Sequence, residues 1–126
     1  MSDAAGMAEL LARVRAGRLQ WLDVDAGDGK ARALQWALPG WDAQYRMGNG
    51  GQAYVRECVD LVAGWRGFTV ADLAPDDADA AKALPFSPEA LALVLGDHLE
   101  WVTSLASRVH QTIAQRAKRQ DSDRGN

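Results

Sequence analysis

Asp97-His98 comes nearest to a reactive pair in this chain. A carboxylate beside a histidine is the material of general acid–base chemistry, but neighbours in sequence seldom aim at one reacting atom. No Ser or Cys nucleophile motif accompanies them. The other histidine, His110, follows on the same long helical pattern. On one helix the two would lie about 18 Å apart along the axis, too far to share a metal. Asp23, Asp25 and Asp28 are close together but lack the further acidic ligands and the closing Glu of an EF-hand, so they read as turn and solvent-face residues. Gly48-Asn49-Gly50-Gly51 is followed by no Lys-Ser or Lys-Thr and has no dinucleotide spacing, so it reads as a joint rather than a phosphate loop. There is no HExxH, CxxC or Gly-x-Ser-x-Gly. The expectation is no catalytic residue, no metal and no cofactor, with a small enzyme using Asp97 and His98 as the lowest-ranked reading.

Composition narrows the class further. A chain of 126 residues points to one domain, able to bury roughly two-thirds of its unfolded surface. The net charge of −3 argues against a general binder of nucleic acid or anionic membranes, which needs a concentrated positive field. Arg108, Arg116, Lys118 and Arg119 form only a modest basic end, read as a solvated helix terminus. Cys58 is the single cysteine, so no internal disulfide forms, and a reducing compartment is expected. Met1 to Gly6 carries no export pattern, and no apolar run approaches a membrane span, which makes the cytoplasm the expected location. Five tryptophans are many for this size; most are expected in the core, with one or two at a partner interface.

The elements that position these residues follow from periodicity. Met7, Leu10, Leu11 and Val14 fall on one face of a short N-terminal helix, which must dock, fray or bind a partner. Leu19 to Ala26 and Ala31 to Leu38 alternate as strands around the turn Gly27-Asp28-Gly29-Lys30, predicting a β-hairpin. Trp41 to Met47 is open between a third strand and an irregular link. Gln52 to Ala63 reads as a helix with Val55, Cys58, Val59 and Val62 on its apolar stripe, which makes Cys58 a structural thiol. Gly64 is its expected stop. Phe68 to Val70 reads as a brief extended segment, and Ala71 to Lys82 as a solvated acidic loop. Ser87-Pro88-Glu89 opens a helix with Leu91, Val94 and Leu95 inward. Leu99 to Ala117 is the longest helical pattern, with Leu99, Val102, Ala106, Val109 and Ile113 as its main stripe, Leu105 widening it and Trp101 beside it. The sum is an α+β fold: an N-terminal antiparallel β-hairpin or small sheet packed with about three helices. Residues 1–18 form an N-terminal arm, 19–118 a single domain and 119–126 a disordered polar tail.

The centre of the chain carries Gly64-Trp65-Arg66-Gly67, an acidic link, then Pro85-Phe86-Ser87-Pro88-Glu89-Ala90-Leu91 opening a helix, then a further helix. In that order the stretch resembles the tail assembly chaperones of tailed bacteriophages and prophages, over about the middle half of the chain. The N-terminal strand pair is similar to that group as well. The link from Ala71 to Ala83 lacks a glycine, and the first eighteen residues lie outside the resemblance. The resemblance implies a non-enzymatic protein of the bacterial host cytoplasm. Its partners would be the long tape measure protein, which it holds in solution, and the tail tube protein polymerising around it. No nucleic acid or membrane partner is implied, and self-association stays open. Trp65, Phe68, Phe86 and Trp101 are the partner-binding residues on this reading; the competing reading has Trp65 and Phe86 pinning a structural junction. The alternative function is a head–tail or tail-completion protein that stays in the particle.

Overall fold

Two glycines at positive φ, Gly27 and Gly29, close a turn that the Asp25 and Asp28 carboxylates brace by accepting from the Gly27 and Lys30 backbone amides. The turn joins β1 (Leu19–Val24) to β2 (Arg32–Ala37), antiparallel, with Leu22 opposite Leu34 and Val24 opposite Arg32. The predicted hairpin is thus present, although Ala33 on the outer face of β2 is buried along with Arg32 and Leu34, so the strict alternation expected there is lost. Leu22, Val24, Leu34 and Trp36 are buried on one face, while Trp21 on the other is partly exposed. The computed structural model describes residues 3–124 of the chain.

A third strand, β3 (Val62–Arg66), pairs antiparallel with the far edge of β2, giving the order β1-β2-β3. This corrects the sequence reading of Gln52 to Ala63 as one helix stopped by Gly64. The helix stops at Asp60, Leu61 caps it, and Val62 and Trp65 turn onto the buried face opposite Trp36 and Leu34. A bulge between Gln35 and Trp36 absorbs the register shift. Unpaired backbone groups on β2 are satisfied this way, which outweighs the weak helical preference of the β-branched valines.

Helices supply the second layer. α1 (Asp3–Gly17) precedes the sheet, and α2 (Trp41–Met47) follows β2, where the sequence left a strand or link open. Gly48, Gly50 and Gly51, all at positive φ, turn the chain into α3 (Gln52–Asp60). After β3 the chain makes one 3-10 turn at Val70–Asp72, then α4 (Pro88–Asp97) and α5 (Leu99–Arg124). The Ser87 hydroxyl accepts from the Ala90 amide at 3.0 Å, with Pro88 in the first turn, as the sequence predicts. Leu91, Val94 and Leu95 are buried as expected.

The inward stripe of α5 is Trp101, Leu105 and Val109, spaced four apart, with Val102, Ala106 and Ile113 at its border. Leu99, read as part of the stripe, is 69% exposed because, two residues before Trp101, it points about 200° away from the inward stripe. The helix also continues to Arg124, through residues read as a tail; residues 125–126 lie outside those described. The segment from Ala71 to Lys82 is not free loop. Backbone bonds from Val70 to Lys82, Ala71 to Ala80 and Leu84 to Phe68 tie it into consecutive turns.

Candidate functional site

The four residues singled out by resemblance come together in one place. Trp65 of β3 stacks on Phe68 with centroids 4.5 Å apart, and meets the edge of Phe86 at 5.2 Å. Phe68 in turn meets Trp101 of α5 at 6.0 Å, edge to face. The Trp65 indole donates to the Leu84 carbonyl at 2.9 Å, and the Trp101 indole donates to the Asp25 carbonyl at 3.2 Å. The cluster therefore fastens β3, the link before α4, the hairpin turn and α5 to one another. Phe68 and Trp101 are each 3% exposed. Burial at that level takes these two out of direct contact with a partner, and their role is to hold the junction. Trp65 and Phe86 are half-buried.

Asp97 and His98 sit where α4 meets α5. His98 caps α4, stacks on Trp101 at 3.8 Å and 11°, and approaches Glu100 Oε1 through Nδ1 at 3.3 Å. An imidazole laid flat on an indole is positioned by packing. Cys58 is fully buried, and burial pushes its thiol up to about 11, so it stays protonated and inert at neutral pH. Among the described residues, no group of His, Cys, Asp and Glu is placed to hold a metal ion. Nor is any helix there long and apolar enough to cross a membrane.

A buried ion cluster was not legible from the sequence. Arg32, 5% exposed on the inner face of β2, is gripped by Asp28 at 2.7 and 2.8 Å and by Asp72 at 2.7 Å. The second Asp72 oxygen accepts from the Thr69 amide at 2.9 Å. Hydrogen bonding to Arg32, then to the Lys30 amide, holds the Asp28 carboxyl well below the ordinary range, and the two carboxylates raise Arg32. The cluster joins the hairpin turn to the start of the acidic segment, so Asp72 is structural rather than solvated. Arg32 and Asp72 lie forty residues apart, beyond the reach of local patterning.

Surface apolar groups lie elsewhere. Met7, Leu10, Leu11 and Val14 on α1 are all exposed, at 53, 44, 42 and 48%. The backbone tie from α1 to the sheet comes at its C-terminal end, where the chain passes directly into β1. On α2, Trp41 is 81% and Tyr45 84% exposed, while Ala43 and Met47 face inward. Both pairs are spaced four apart, the signal for one helix with an aromatic outer face. That signal was available in the sequence but was hidden by the open reading of this segment. Comparison of the chain with protein-family models, with curated proteins and with solved structures returns no match.

Proposed function

We propose that the chain is a non-enzymatic partner-binding protein that acts as a phage tail assembly chaperone, covering the tape measure protein before tail tube subunits polymerise around it. The observation that carries this reading is the apolar stripe of α1, Met7, Leu10, Leu11 and Val14, which no other part of the described chain covers. An amphipathic helix with an open apolar face is suited to lie against another apolar helix. Trp41 and Tyr45 on α2 add two large exposed rings, which supply contact area at small cost in side-chain entropy. Trp65 and Phe86 belong to the reading only through their half-exposed edges.

The experiment begins with the DNA flanking the coding sequence. A tail tube gene on one side and a very long, helix-coding gene on the other supply the partner to test. Co-expression of that long product with this chain is expected to keep it in the soluble fraction and to co-purify with it. A quadruple variant with Met7, Leu10, Leu11 and Val14 replaced by Ser is expected to stay folded and to lose the complex. Retained binding by this variant rejects the α1 stripe as the binding surface, and a setting without virion genes rejects the chaperone reading. Mass spectrometry of purified particles separates a chaperone, which should be missing, from a head–tail protein, which should be present.

A further inference from the structure

The C-terminal half of α5 does not lie flat against the sheet. Two adjoining hollows of about 300 and 490 Å³ run along it and share Leu38 and Arg116 as a common wall. Together they make one cleft. Leu38 and Ile113 give it an apolar floor, and Arg18, Arg108, Arg116 and Arg119 give it charge. Most of the remaining polar lining is glutamine, and no carboxylate lines it. Arg18 donates to the Leu38 and Pro39 carbonyls at 3.4 and 3.1 Å, which fixes its cation on the wall. Among the described residues, neither Arg18, Arg108 nor Arg116 forms an ion pair. Four guanidinium groups converge here on a protein of net charge −3.

The matching negative charge is at the other end of the same molecule. Asp76, Asp77 and Asp79 are exposed on the turns that follow Asp72. Those turns are held in one shape: the Asp79 amide donates to the Asp77 carboxylate at 2.8 Å, and the Ala80 amide to the Asp77 carbonyl at 3.1 Å. Lys82 answers only Asp79, at 3.1 Å. The base of this acidic turn is fixed by the Arg32–Asp72 pair at one end of β2, while the cleft opens at Leu38, just past the other end. Six residues of extended chain separate Arg32 from Leu38, about 20 Å. The turn therefore cannot reach the cleft of its own chain.

We propose that the cleft formed by Arg18, Arg108, Arg116 and Arg119 receives the Asp76–Asp79 turn of a second copy of this chain, so that copies associate head to tail. Both surfaces are formed before they meet, so little ordering opposes the contact. Charge of opposite sign on two ends gives a heterologous contact, which continues into rings or filaments rather than stopping at a symmetric pair. A second copy is the occupant argued for because this chain itself carries exposed carboxylates on a turn held in one shape, while its net charge of −3 disfavours a phosphate polymer.

Sedimentation velocity of the full chain across a concentration series tests this. The expected result is association that grows with concentration at about 0.1 M salt and is lost at about 1 M, where the screening length falls from about 10 Å to about 3 Å. Two double variants, Arg116→Gln with Arg119→Gln and Asp76→Asn with Asp77→Asn, are each expected to sediment as monomers with unchanged circular dichroism. Mixed in equal amounts, they are expected to form a heterodimer and nothing larger, since one cleft and one turn remain functional. A wild type monomeric up to about 1 mM overturns the proposal. So does association that survives high salt, or that either double variant retains. Binding of a single-stranded oligonucleotide or an acidic peptide to the cleft of a monomeric wild type would overturn it too, and would name the occupant.

Discussion

Gly67 shows how one residue can be fixed by its backbone alone. Its φ of +83° lies in the left-handed region, and a Cβ there would fall on the Ala31 carbonyl oxygen. Strain and collision both act, because β3 leaves the sheet at this point and crosses close to the start of β2. Gly67→Ala is expected to destabilise the fold by about 3 kcal/mol, read as a lower urea midpoint with an unchanged m-value. Asp28 is fixed by charge instead. Its carboxyl titrates lower in the folded chain than in the unfolded one, chiefly because Arg32 donates to it. Its contribution is therefore fully present above the unfolded value of about 4 and is lost as pH falls below it. Asp28→Asn is expected to be less stable than wild type at neutral pH, with a shallower loss between about pH 5 and pH 2. Equal slopes in denaturant titrations across that range would show that the Arg32 contact does not set the acid response. The sequence named both, Gly67 in a motif and Asp28 in a turn, but not these roles: the glycine's need lies in a distant backbone, and the aspartate's in the fold that buries Arg32.

At the scale of elements, the hairpin and α4 were legible because their signals are local. Alternation across Leu22, Val24, Leu34 and Trp36 and the paired turn glycines need no tertiary partner to be read. The same holds for Ser87-Pro88 before Leu91. Ser87 satisfies an amide that the helix leaves open, and Ser87→Ala is expected to cost about 1 kcal/mol, seen as a lower thermal midpoint with little change in helix content. An unchanged midpoint would mean that water replaces the cap without loss. β3 and α2 were misread or left open for the opposite reason. Val62 to Arg66 carries valine, glycine and tryptophan, which fit a helix end as well as a short strand; the free edge of β2 decides. In α2 only seven residues carry the period, too few to overrule the neighbouring glycines. Of the four candidate partner residues, the sequence allowed a junction role only for Trp65 and Phe86, and it gave no measure of burial for any of them. That measure moves the accessible apolar surface to α1 and α2.

Across the whole molecule, two long-range fastenings decide what unfolds together. The Trp65, Phe68, Phe86 and Trp101 cluster ties β3 and the link before α4 to α5, and the Arg32 pairs tie the hairpin turn to the acidic turns. Each strand, and each of α2 to α5, places a side chain in one of these or in the core around Leu34, Trp36 and Leu105. Cooperative loss of that unit is therefore expected. α1 contributes no residue to the core cluster, and its apolar stripe is exposed. A fifteen-residue helix held at one end has only marginal stability of its own in water. Native-state hydrogen exchange is expected to divide the chain accordingly. Amides of β2 should exchange only through global unfolding, with a denaturant dependence matching the equilibrium transition, while amides from Ala5 to Val14 should exchange many orders of magnitude faster. An apolar partner of the kind proposed for α1 should then slow the α1 amides selectively. Protection of α1 equal to that of β2 in the isolated chain would mean that its apolar face is already covered in solution, and the surface available to a partner would have to be found elsewhere.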